Sequence, residues 1–215
     1  VYFDECLSQA LDKTIMANAT YWKAESNFNL GNFEEALLGF KAFKGMPAAK
    51  QSAEYKHIDY DIGYAYFKTK DYEQAKDHFD RASKSLKNKD QRFDALVRLG
   101  DTYYVTNDYW NAMEEYNKAL QIPGFSKDYV AYQKAVSYGY VGKNETKIKE
   151  LNDYVSTYKS SVYLDDAYYQ LGNTYIAENQ TEKGLQAYQS LMNARPQSPF
   201  VPKTLSKIGL TYYNT

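Results

Sequence analysis

Apolar residues along this chain recur three and four apart, so that Leu96, Leu99 and Tyr103 share one face of a helix. Tyr168, Leu171 and Tyr175 form a second such stripe, and Leu205, Ile208 and Tyr212 a third. A small residue followed three later by an aromatic anchors each copy: Gly63/Tyr66, Gly100/Tyr103, Ala135/Tyr138, Gly172/Tyr175 and Gly209/Tyr212. The intervals are 37, 35, 37 and 37 residues, and Ala24 opens a looser copy 39 before Gly63. About twelve residues beyond Ala24, Gly63 and Gly100 stand Ala36, Ala75 and Ala112, with Phe40, Phe79 and Tyr116 four further on. A period of this length marks a repeat whose unit cannot bury its own apolar face and needs neighbours. The clearest copy runs from Asp94 to Gly124.

Turns are expected where Asn, Asp and Gly cluster: Leu30–Asn32, Thr69–Asp71, Thr106–Asp108, Gly142–Asn144 and Glu178–Gln180. Second helices are then predicted at 33–44, 72–86, 109–121, 145–158 and 181–194, with Pro47, Pro123 and Pro196 closing three of them. The copies fall at 17–50, 56–89, 93–126, 128–161 and 165–198, between a partial copy at 1–16 (second helix only) and another at 202–215 (first helix only). Neither end carries the polar cap of a terminal repeat, so the chain is expected to be a segment of a longer protein. The copy at 128–161 departs from the pattern, with Lys147 or Ile148 where alanine is expected and Leu151 for the aromatic.

This pattern resembles the tetratricopeptide repeat, W-x2-L-G-x2-Y…A-x3-F…P, over nearly the whole chain. The resemblance implies an all-α fold, a right-handed superhelical solenoid of antiparallel helix pairs with a concave groove lined by first helices. A narrower resemblance lies in Arg195-Pro196-Gln197-Ser198 followed by Ile208-Gly209, and in Tyr158–Ser161 followed by Leu171-Gly172. It is similar to the linkage in bacterial periplasmic and outer-membrane assembly proteins of the Tol-Pal accessory and assembly-lipoprotein kind. That implies a bacterial periplasmic or outer-membrane-associated protein, with the cytoplasm as the alternative.

Composition narrows the chemistry. The formal net charge of -1, from 26 basic and 27 acidic residues, provides no drive toward nucleic acid or anionic membrane. No apolar run approaches the roughly 18 residues of a membrane-spanning helix. Cys6 stands alone and matches a small core position. His57 and His78 lie 21 apart without a second ligand at a metal spacing, His57 at a helix start and His78 on the exposed side of a second helix. Lys84–Arg92 reads as a solvated cationic linker, and Glu34-Glu35 and Asp165-Asp166 as helix starts. No phosphate-binding loop, nucleophile elbow or zinc-protease motif occurs, so no catalytic residue, cofactor or metal is expected.

The remaining signal is a second stripe beside the core face of the first helices, among 24 tyrosines. Its members at offsets of minus three, plus one and plus four from the anchors include Tyr21, Glu25, Phe28, Tyr60, Tyr64, Phe67, Asp101, Tyr104, Tyr132, Tyr169 and Asn173. In the resembled family this face lines the groove, and tyrosine combines contact area with few torsions to freeze. The competing reading is that these rings pack on the next first helix. Only Arg98 and Asn173 could play parts in the Lys/Asn/Arg set with which chaperone-binding members hold a terminal carboxylate. The sequence thus points to a non-enzymatic scaffold holding a peptide segment or protein partner in an aromatic, mildly acidic groove, with little salt dependence. A carbohydrate-binding outer-membrane module and, less well supported, a nucleic-acid-binding repeat are the alternatives.

Overall fold

The computed structural model describes residues 4–5 and 12–213. Among these it has α1 (Lys13–Asn29), α2 (Phe33–Gly45), α3 (Ile58–Lys68), α4 (Tyr72–Ser85), α5 (Lys89–Val105), α6 (Tyr109–Leu120), α7 (Asp128–Tyr140), α8 (Asn144–Thr157), α9 (Leu164–Ala177), α10 (Thr181–Ala194) and α11 (Val201–Tyr213). The fold is all-α. The five predicted turns each contain a residue in the left-handed region: Gly31, Lys70, Asn107, Gly142 and Asn179, at φ from 59° to 83°. One such residue lets the chain double back within two or three positions. The second helices match their predicted spans to within a residue or two. Cys6 and most of the partial copy at 1–16 lie outside the described residues.

The chain divides into two units, residues 1–108 and 109–215. In the first, α1 to α5 pack each on its predecessor, with two short 3-10 turns (Pro47–Gln51 and Glu54–Lys56) filling the longer link after α2. Phe40, Phe43, Ile58, Ile62, Phe79 and Leu99 are fully buried in its core. In the second unit α6 to α11 are likewise packed in sequence, around Leu151, Tyr154, Leu171, Tyr188 and Leu191. The anchor Gly63 fits this packing: a Cβ there would fall 2.9 Å from the Phe79 ring.

Three expectations change. His78 is not on an exposed side; its side chain is largely covered, and its Nδ1 lies 2.7 Å from Asp59. Lys44 and Arg81 bind the same Asp59 oxygen at 2.8 and 3.0 Å. Lys84–Arg92 is not a continuous linker, because Asn88 accepts from the amides of Asp90 and Gln91 and starts α5 at Lys89. The last stripe is not core either. Leu205 and Tyr212 are 55% and 66% exposed, and Thr204 is the buried contact of α11.

Candidate functional site

The second stripe separates into residues that bind the scaffold together and residues that line a cleft. At the minus-three position tyrosine hydroxyls donate to an aspartate of the next first helix. Tyr21 donates to Asp61 at 3.1 Å and Tyr60 to Asp94 at 2.9 Å in the first unit, and Tyr132 to Asp166 at 2.5 Å in the second. Tyr21 and Tyr132 are buried at 4% and 5% exposure, so the packing reading holds for both and they do not line a surface. Burial and the neighbouring carboxylates raise the pKa of Tyr21 and Tyr60, which keeps these hydroxyls as donors.

Arg98 is also committed. Its Nε donates to the Tyr64 hydroxyl at 2.9 Å and its two terminal nitrogens to Asp101 and Asp94 at 2.7 and 3.4 Å. Burial opposes its charge, but Tyr64, Asp94 and Asp101 outweigh burial and raise its pKa. The same Asp94 accepts from the Tyr64 hydroxyl. Asn173 accepts from Tyr188 at 2.9 Å. Both residues are engaged within the scaffold, in keeping with the sequence, which disfavours a terminal-carboxylate clamp because only these two could serve it.

In the first unit a cleft of about 220 Å³ stays open, lined by Glu25, Phe28, Asn29, Phe40, Tyr60, Asp61 and Tyr64. Four of these are predicted stripe residues from α1 and α3. Phe28 and Tyr64 meet edge to face at 6.3 Å, and Tyr60 and Tyr64 at 5.0 Å. Glu25 accepts a 3.4 Å bond from Asn29 and has no ion pair among the described residues. Burial, then the charge of Asp61, pushes its carboxyl pKa up. Asp61 is better served: His57 lies 2.9 Å away, and that hydrogen bond raises the histidine's pKa. Phe67 packs on Tyr72 and Phe79 outside the cleft. Tyr104, half-buried on α5, does not line it, and Tyr169 packs at a tilt against Tyr188 and Phe200 in the second unit.

Family models described as tetratricopeptide repeat match residues 60–127 and 166–198. Tetratricopeptide repeats are thus matched over these two stretches. Solved structures extend the likeness to the rest of the fold. The apo form of RapI superposes with a TM-score of 0.83 at 13% identity, covering 98% of this chain and 63% of that one. The chain therefore spans less than two thirds of RapI. YrrB, a TPR protein with an unusual peptide-binding site, gives 0.68 at 18% identity, covering 92% and 94%. MamA from Desulfovibrio magneticus RS-1 gives 0.69 at 17%, covering 88% and 99%. Among curated proteins none matches.

The tetratricopeptide pattern hid the residues that complete the cleft and its supports. Phe40 counts as a core aromatic in the repeat pattern, Asn29 stands just before the predicted turn and outside the stripe, and Asp61 falls between the stripes. The tyrosine–aspartate ties had a usable signal, since Tyr60/Asp94 and Tyr132/Asp166 are each 34 apart. The Ser of the linkage motif is a further tie. Ser161 donates to Asp128 at 2.7 Å and accepts from the Tyr163 amide at 3.1 Å; Ser198 does the same with Asp165 and Phe200. Among the described residues no cluster of three or more His, Cys, Asp or Glu could hold a metal, and no helix is long and apolar enough to cross a membrane.

Proposed function

We propose that this chain is an interaction scaffold and that its first unit grips a partner segment at the Glu25–Tyr64 cleft. The observation that supports this most is the cleft's composition: aromatic walls around a partly desolvated carboxylate that forms no ion pair among the described residues. Its preferred occupant is a lysine or arginine side chain of an extended peptide. The aliphatic stem would lie along Phe28 and Tyr64 while the cationic head meets Glu25. A cation against aromatic faces contributes about 0.5–2 kcal/mol, more as water is excluded. Because the contact is partly desolvated, salt would weaken it only moderately. The shared fold with YrrB, a protein with a peptide-binding site, supports the class of partner and not the residues.

A bacterial-envelope location remains part of this proposal on the linkage motif alone, whose serines have structural work in this fold. The scaffold reading is tested with a peptide array probed by the intact chain and by Glu25→Gln and Phe28→Ala variants. Basic peptides flanked by apolar residues should bind, and the Glu25→Gln chain should lose about tenfold in affinity for them. Indifference of the array to both substitutions would overturn the assignment of the cleft.

A further inference from the structure

The copy at 128–161 breaks the repeat pattern at two positions, and the two breaks fit one another. At plus four from the anchor, the other copies carry Phe28, Phe67, Tyr104 and Ile176, but this one has Gly139. At plus twelve they carry Ala36, Ala75, Ala112 and Gly184, but this one has Lys147. In the following copy the large side chain comes from the first helix and the space from the second: a Cβ on Gly184 would fall 2.6 Å from Ile176 Cδ1. Here the arrangement is reversed. A Cβ on Gly139 would fall 2.9 Å from Lys147 Cδ and 3.2 Å from its Nζ, so the lysine chain crosses the α7 backbone where other copies place bulk.

Packing alone does not require a cation there. Leucine or methionine would fill the same space without the cost of desolvating an ammonium group. Lys147 is 9% exposed, forms no ion pair among the described residues, and donates to the neutral Gln170 Oε1 at 3.0 Å. Asp166, the acid whose charge acts on it, is held by Tyr132. The ammonium borders an open cavity of about 200 Å³, lined also by Val136, Gly139, Tyr140, Asn144 and Gln170. With Gln170 Oε1 engaged, the Nε2 donors of the same amide have no partner among the described residues. Asn144 Nδ2 donates to Glu178 at 2.7 Å and closes one side.

We propose that this cavity in the second unit binds a carboxylate, with Lys147 as counter-ion and the Gln170 amide as second donor. Both sources of the group, an Asp or Glu side chain and a chain terminus, share this chemistry. The proposal rests on the scaffold reading only for the partner that supplies the carboxylate; the cavity is tested without it. Burial depresses the Lys147 pKa, and a bound carboxylate would raise it.

The experiment follows Lys147 Nζ and the Gln170 amide by NMR in the full chain during titration with small peptides. The probes are acetyl-Ala-Glu-Ala amide, acetyl-Ala-Ala-Ala with a free carboxyl end, and acetyl-Ala-Gln-Ala amide as the neutral control. Saturable shifts with either carboxylate probe, absent with the control and weakened at least tenfold in Lys147→Met, would support the site and identify the source. An upward move of the Lys147 titration midpoint on saturation should accompany them. Signals unmoved to the solubility limit of both acids, or shifts unaffected in a folded Lys147→Met chain, would overturn it. The readout is local to the second unit, so failure here is distinguishable from failure at the Glu25 cleft.

Discussion

Placing alanine at two equivalent anchors should have opposite effects. At Gly172 an added Cβ would fall 2.2 Å from Tyr188 Cε1, 2.3 Å from Cδ1 and 2.8 Å from Cζ. Carbon atoms in good contact sit about 3.5–4.0 Å apart, so the ring must retreat by about 1 Å or more. Tyr188 is 1% exposed and donates to Asn173 at 2.9 Å, so the retreat strains both packing and a hydrogen bond. Overpacking of this kind costs about 1–3 kcal/mol, and removing a helical glycine returns about 1 kcal/mol. Gly172→Ala should therefore lose up to about 2 kcal/mol net. At Gly209 nothing lies within 4 Å of the new Cβ, and the same substitution should gain about 0.5–1 kcal/mol. Urea denaturation followed by circular dichroism measures both, with the midpoint as readout because repeat proteins need not unfold in two states. Adding Tyr188→Leu to Gly172→Ala recreates the Ala135/Leu151 pair of the neighbouring copy and should make the two changes non-additive in the stabilising direction. A Gly172→Ala chain that gains stability as Gly209→Ala does would refute the ring-on-glycine account.

Three further outcomes follow from the titratable groups. The Glu25 carboxyl has a raised pKa when folded, so it favours folding below its unfolded value of 4.5 and disfavours it as pH rises through the folded value. Glu25→Gln should accordingly melt higher at pH 7, with the advantage vanishing below about pH 4.5. The His57 ring has a raised pKa, so its pairing with Asp61 stabilises the fold below 6.5 and is lost as pH rises through the folded midpoint. NMR should find that midpoint above 6.5, and Asp61→Asn should bring it down. Lys147 has a depressed pKa, so the native state holds its proton less tightly and gains stability as pH rises toward 10.5. Lys147→Met should be at least as stable as the parent at pH 7, its advantage shrinking in alkali, as thermal melts across pH would record.

Helix order and turns were legible because they depend on local chemistry. Asn107 and Asn179 tolerate the left-handed region by composition, and the second helices begin one or two residues after the left-handed position. Burial along the second stripe was not legible in the same way. Tyr21 and Phe28 share a helix face, yet Tyr21 is buried against Phe40 and Phe43 while Phe28 borders the cleft. That difference depends on where the next first helix crosses, which spacing along one helix does not encode. Arg98 looked available because the Tyr64 hydroxyl it donates to lies on another helix, whereas its Asp94 and Asp101 partners are four and three residues away on its own. The Lys147 position was visible as a departure, but its meaning required Gly139, one helix away, to be read with it. The start of α5 turned on Asn88, a cap inside what read as a charged linker.

The central functional claim is that Glu25 meets a cation of the partner inside the cleft. A double-mutant cycle measures it directly, crossing Glu25→Gln in the chain with lysine→norleucine in a bound array peptide and reading each affinity by calorimetry. Norleucine keeps the stem and removes the charge. The account predicts a coupling energy of about 1 kcal/mol or more, the two changes together costing little beyond either alone. Independent, additive losses would contradict it.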